Sequence, residues 1–460
     1  MGRNRVWGLP KNLLLDTATR MSDLTEYHTP DPLTLIPHRH IRPTFAFLLR
    51  TFLLILSIFC VSCDLLGGAF DDKPKDLVKQ ISAGARALIE QAYDGIQEDM
   101  LHDYHVHMLG INTELNGTWV NEDWQSPWSG LIHYIQFEVY KSAAAITDEP
   151  QADAQYLDRL QNLIRHMPKR GKFGIMAFDF FHDEQGRPIR KLSTFHVPNE
   201  YVMTIAKKNP DIFFPIISIH PYREDATTEL RHYADQGVRF VKWLPNAMGI
   251  HPASTTMRNK LEAYYRMMRE YGMVLISHTG MEVATQAEGY QHLGNPLLLK
   301  KPLDMGVKVV MAHVASLGEC KAEDADVCPP GTPYIDLALE MLENPKYQGL
   351  LFADISALTQ FNRMHNLDIL LATSSIHSRL INGSDYPLPA INIVIQTRAL
   401  VSSGHITSEE REALNEIYAS NPLLFDFVLK RTLRHSKTGT KFPPSVFVEH
   451  PGLPTGWGRN

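Results

Sequence analysis

The chain has 460 residues, 44% of them hydrophobic and 21% charged, and a formal net charge of -6. That is a globular composition with material for a large core. No block of like charge stands out, and without a basic stripe a nucleic-acid partner is excluded.

Residues 1–63 read as a leader. A polar, Pro-containing stretch leads to Arg39, His40, Arg42 and Arg50, followed by an apolar run and the small residues before Cys63. A basic segment followed by about a dozen apolar residues is a secretory signal pattern, too short for the roughly 20 apolar residues of a membrane span. Val61-Ser62-Cys63 is similar to the end of a bacterial lipoprotein signal, with a lipid anchor at Cys63, although Cys60 stands where Leu is usual. The expected location is periplasmic or membrane-anchored. An uncleaved hydrophobic anchor is one alternative, and a cytoplasmic protein with an artefactual leader is another.

From residue 75 the pattern changes. The segment 75–100 has helical periodicity, with Leu77, Val78, Ile81, Ala85 and Leu88 on one face. Apolar runs at 101–108, 173–180, 213–220, 238–244, 273–277, 307–312, 350–355 and 379–383 predict eight strands. Helical patterns at 131–165 (interrupted near Pro150), 260–271, 296–305 and 334–343 fall between them. The expected class is therefore α/β, a (β/α)8 TIM barrel over residues 75–432, closed by helices at 408–419 and 422–431. The tail 433–460, rich in Pro and Gly, is expected to wrap the surface or be mobile. Residues 111–128, rich in aromatics and Asn, read as a lid or an insertion over the first strand. Cys320 and Cys328 lie in a polar loop, where an oxidising compartment favours a disulfide and the cytosol two free thiols.

Six metal-type residues sit at the ends of the apolar runs: His105 and His107 in an HxH pair, Lys242, His278, His313 and Asp385. From Lys242 to His278 is 36 residues, from His278 to His313 is 35, and from His313 to Asp385 is 72. One strand–helix unit occupies about that length, so these residues recur once per unit or per two units. In such a barrel the carboxyl ends of all strands converge on one face. Alternate residues of a strand share a face, so His105 and His107 point the same way. Imidazoles and carboxylates suit zinc and its neighbours, with an open position for a reactive water.

In these segments (103–107, 237–242, 274–280, 309–313 and 382–387) the chain resembles the amidohydrolase superfamily, in particular its amidohydrolase-2 branch of metal-dependent hydrolases and decarboxylases. The likeness spans about residues 101–430. It implies that His105, His107, His278 and Asp385 bind metal, with Asp385 also the base for the attacking water. It implies that His313 polarises the substrate or binds a second ion. Lys242 is either carboxylated and bridging two ions, or neutral, or turned to a substrate carboxylate. One Zn2+ is expected, with Mn2+ or a second metal as alternatives.

Substrate contacts are expected from Lys242, from His220 and Arg223 at the end of the third strand, and from Trp243. Neighbouring strand residues face opposite ways, which weighs against Trp243. Asp179 and Asp354 are expected to orient a ligand or to be structural, and Asp103 to face the same way as His105. Loops 111–128 and 317–333 are expected to set substrate choice. The expected function is an exported hydrolase that cleaves an amide, ester or lactone of a small molecule. The alternatives are a nonoxidative decarboxylase of an aromatic or unsaturated acid, and an inactive metal- or ligand-binding lipoprotein. The partners are a small-molecule substrate and the lipid anchor, with a homo-oligomer left open.

Overall fold

A computed structural model of the protein describes residues 74–455 and 457. The leader expected over 1–63, with Cys63, lies outside the described residues. Eight parallel strands form one sheet in chain order: β1 (Leu101–His107), β2 (Gly171–Met176), β3 (Phe213–Ile217), β4 (Phe240–Trp243), β5 (Val274–His278), β6 (Lys308–Ala312), β7 (Leu351–Asp354) and β8 (Leu380–Ile381). Past β8 the chain runs on beside β1. Tyr104 N donates to Asn382 O at 3.0 Å, Asp385 N to His105 O at 2.8 Å and His107 N to Tyr386 O at 3.0 Å, which closes the ring. The fold is the barrel that the eight apolar runs predict. Most strands are shorter than their runs.

Alternation sorts the strand residues. Phe214, Phe240, Ile276, Val310, Phe352 and Ile381 fill the interior, whereas Phe213, Val241, Leu275, Val309 and Leu351 belong to the layer under the helices. β1 breaks this rule. Asp103 pairs with Phe173 and Val106 with Ile175, so β1 carries one extra residue there, a bulge. Tyr104 therefore packs inside against Phe214 and Phe240, and its neighbour His105 also reaches the inside, beside His313.

The surrounding helices include Ala83–Ala92, Leu131–Ala143, Ala152–Arg165, Arg258–Glu270, Tyr334–Glu343, Ser408–Ser420 and Pro422–Thr432. The helix expected over 296–305 splits into a 3-10 turn, Pro296–Leu299, and a short α-helix, Lys300–Asp304. Pro302 sits in the first turn of that helix, where its missing N–H is not needed. An antiparallel pair that the sequence pattern does not announce joins Trp119–Val120 to Phe195–His196.

The end of the chain seals the amino-terminal mouth of the barrel. Leu453 joins the interior cluster, Lys308 Nζ donates to Gly452 O at 2.7 Å, and His450 N donates to the Tyr104 hydroxyl at 3.0 Å. Cys320 and Cys328 are joined by a disulfide, and both are buried.

Candidate metal centre

The carboxyl ends of the strands bring the metal-type residues together. Ligand atoms of His105, His313 and Asp385 all lie within 4.8 Å of one another. His107 Nε2 stands 3.1 Å from Asp385 Oδ1 and 3.3 Å from His105 Nε2. Lys242 Nζ, fully buried at the end of β4, is 2.9 Å from His105 Nε2. The His278 ring centroid is 4.9 Å from that of His313. All six residues thus reach one region. His105 Nε2, His107 Nε2 and Asp385 Oδ1 lie within 3.5 Å of one another, and His313, just past β6, and His278 stand beside them.

A second layer fixes these side chains. Asp354, at the end of β7, accepts from His105 Nδ1 at 2.8 Å and from the His313 backbone N–H at 2.9 Å. A carboxylate at Nδ1 places the ring proton there and leaves the Nε2 lone pair facing inward, as in carboxylate–histidine–metal arrangements. Ser356 Oγ is 2.7 Å from His313 Nδ1. Gly383 permits this packing, since a Cβ there would sit 2.6 Å from the Cβ of His105. Lys430, from the closing helix Pro422–Thr432, donates to Gly383 O at 2.7 Å and holds the loop that carries Asp385. His313 and Asp385 both adopt the left-handed backbone region, each at φ 60°. Such residues cost about 1–3 kcal/mol each and persist where their surroundings over-determine them.

Electrostatics follow from burial. Burial alone would raise the Asp385 carboxyl, but the imidazoles of His313, His107 and His105 outweigh it and hold it well below the usual carboxylate range. Burial pushes His107 down to about 4, and His278 and His313 well below the ordinary imidazole value. Burial also brings Lys242 down to about 8. Neutral imidazoles around a charged carboxylate form the donor set a divalent cation needs. His278 fits the same description: it is buried, neither ring nitrogen has a hydrogen-bond partner among the described residues, and Nδ1 stands 3.4 Å from Glu282 Oε2. These residues therefore fit a metal ion, with His105, His107 and Asp385 closest together and His278 and His313 within reach.

Above the centre opens a cavity. His107, His278, His313 and Asp385 lie on its wall, together with Glu282, Gln360 and Arg363. The rest is largely apolar and includes the aromatic rings of Trp124, Phe137, Tyr140, Phe178 and Phe195. Segment 111–128 supplies Ile111, Val120 and Trp124 to this wall, while segment 317–333 supplies no lining residue.

Three residues expected at the substrate are elsewhere. His220 is fully buried, with Nε2 at 2.8 Å from Met248 O, and burial lowers it to about 3. Arg223 turns away to pair with Asp179 at 3.0 Å and Asp225 at 2.7 Å, beside a separate surface cleft. Beyond β3 the chain has left the sheet, so a place in the apolar run does not aim these side chains at the centre. Trp243 faces the helices, donating to Ile219 O at 3.1 Å and packing on Tyr264, as alternation from Lys242 requires. Asp103 does not face the same way as His105. It accepts from the backbone N–H of His105 at 3.0 Å and of Ser384 at 2.9 Å, tying β1 to the Asp385 loop.

The sequence reading missed Arg363, Gln360 and Glu282. Each lies in a loop after β7 or β5, outside the apolar runs that carried the periodic signal.

No family model and no curated protein matches the chain. Among solved structures it is similar to an uncharacterized TIM-barrel protein from Bordetella bronchiseptica, at 16% identity and TM-score 0.43, over 68% of this chain and 94% of that one. It is also similar to 5-carboxyvanillate decarboxylase from Novosphingobium aromaticivorans with bound manganese and 3-methoxy-4-hydroxy-5-nitrobenzoic acid. That match has 10% identity and TM-score 0.39, over 69% of this chain and 95% of the other. A third is D-hydantoinase, at 12% identity and TM-score 0.30, over 68% of each chain. Likenesses at this level carry no information about the reaction.

Proposed function

We propose that this chain is a metal-dependent hydrolase that cleaves an amide, ester or lactone bond in a small molecule. The observation that carries the reading is the convergence of His105, His107 and Asp385 within 3.5 Å at the strand ends, with His278 and His313 beside them, under a largely apolar cavity. A divalent ion at such a centre, Zn2+ or Mn2+, supplies Lewis acidity and lowers the pKa of water from 15.7 to about 7.

The protein's own residues supply the rest. Asp385, held ionised by three imidazoles, is the acceptor for the proton of the attacking water and its carrier to the leaving group. His313, fixed by Ser356 and by the Asp354 bond to its backbone, is placed to polarise the bond under attack. Asp354 keeps the His105 imidazole in one tautomer. The apolar residues of the wall, Trp124 and Phe137 among them, offer packing to the rest of the substrate. Lys242 is read as a neutral amine or a carboxylated lysine, since an ammonium 2.9 Å from a ligand nitrogen would repel the cation.

The test is turnover of a panel of aryl and alkyl esters, anilides and lactones by metal-loaded protein, with product analysis. Hydrolysis is expected, with Asp385→Asn lowering kcat by about 10² or more. Release of CO2 without hydrolysis would replace this reading with the decarboxylase, and unchanged turnover in Asp385→Asn would remove the assigned base.

We further propose that the protein works outside the cytoplasm, anchored through Cys63. The signal-like leader and the Cys320–Cys328 disulfide support this, because disulfides persist in oxidising compartments.

A further inference from the structure

Arg363 is the unexplained charge in the cavity. It lies in the loop after β7 and is only 4% exposed. Its guanidinium donates to Ser316 Oγ at 3.2 Å, and its buried Nε has no hydrogen-bond partner among the described residues. Asp385, Glu282 and Asp354 act on it through the field, yet among the described residues no carboxylate pairs with it directly. That contrasts with Arg223, which grips two aspartates.

A distant carboxylate offsets charge but does not satisfy an N–H. A buried donor left unpaired costs about 1–3 kcal/mol, more when charged. Arg363 nonetheless lines the cavity, beside Asp385 and His313, and Gln360 lines the same wall one turn earlier. Gln360 O accepts from Arg363 N at 2.9 Å, so the two side chains leave one rigid turn. A planar fork of donors beside an amide, in a cavity whose wall away from the metal-type residues is largely apolar, matches a ligand with an oxyanion at one end and an apolar body.

We propose that Arg363 anchors a carboxylate of the substrate, so that the preferred substrates are esters, amides or lactones that also carry a carboxylate and a bulky apolar group. The carboxylate sits on the Arg363–Gln360 turn, and the apolar body lies against Trp124, Phe137 and Phe178. The bond to be cleaved is a separate acyl bond presented to Asp385. This rests on the hydrolase reading of the same cavity and names its substrate class.

The test is calorimetric titration of aryl and alkyl acids of about six to twelve carbons, each against its own primary carboxamide. It is run on metal-loaded protein and on the same protein stripped by a chelator. At least one acid is expected to bind about tenfold or more tighter than its amide in both states. Arg363→Gln is expected to abolish that preference with metal content unchanged, and Arg363→Lys to keep part of it. The proposal is overturned if no acid outbinds its amide, or if the preference survives in Arg363→Gln. It is equally overturned if the preference vanishes on stripping, because the ion would then be the anchor. Should Arg363→Gln fail to fold, the stripped wild-type protein and Arg363→Lys still decide. Absence of metal or of turnover would sink the hydrolase reading while leaving the stripped-protein comparison intact.

Discussion

Asp354 touches two of the residues at the centre at once, the His105 ring at Nδ1 and the His313 backbone. Despite burial, which would raise it, the neighbouring His105 imidazole keeps this carboxyl below its ordinary range. Asp354→Asn keeps the shape but loses the charge that fixes the His105 tautomer. Metal affinity is expected to fall about 10- to 100-fold, as for other partners of ligand histidines. Competition with a chromophoric chelator measures it, and an affinity within twofold of wild type would show that Asp354 merely packs there. At this scale the sequence was legible where identity and period coincide: the HxH pair, His278, His313 and Asp385 all end apolar runs, and all reach the centre. Arg363 and Glu282 were not legible, because a loop has no period to point from. His220 and Arg223 were misdirected for the same reason, lying past the end of the third strand.

Asp153 does for an element what Asp354 does for a side chain. From the first turn of helix Ala152–Arg165 it accepts from Ile111 N at 2.7 Å, Asn112 N at 3.2 Å, Asn116 Nδ2 at 2.9 Å and Thr118 Oγ1 at 2.8 Å. One buried carboxylate thereby organises the segment that carries Ile111, Val120 and Trp124 to the cavity wall. Asp153→Ala leaves those donors unpaired, so KM is expected to rise about tenfold while metal content holds, because misplaced positioning groups cost binding geometry. A KM equal to wild type would mean that this segment is held by its other contacts. The segment was visible in the sequence as a long aromatic loop. Its order was not, since it depends on a carboxylate about forty residues away and on the pairing of Trp119–Val120 with Phe195–His196. The β1 bulge was hidden likewise. Strict alternation puts Asp103, His105 and His107 on one face, and one inserted residue turns Asp103 out of line and Tyr104 inward.

At the scale of the molecule, the eight-strand barrel was legible because eight apolar runs recur with helical patterns between several of them. The role of the tail was not. A Pro- and Gly-rich composition describes a chain without regular structure, but says nothing of Leu453 entering the barrel floor or of His450 bonding to Tyr104. The proposed location is tested by fractionating cells that make the full chain. The protein is expected with the membrane, Cys63→Ala is expected to release it, and a cytosolic protein with free thiols at Cys320 and Cys328 would contradict the proposal.

The central claim is that these strand ends hold a catalytic ion, and elemental analysis tests it most directly, on protein expressed without residues 1–63. About one Zn or Mn per chain is expected, lost in His105→Ala, as a centre built on that imidazole requires. A chain that takes up no ion after reconstitution, or a His105→Ala variant that binds as much as wild type, would contradict the account.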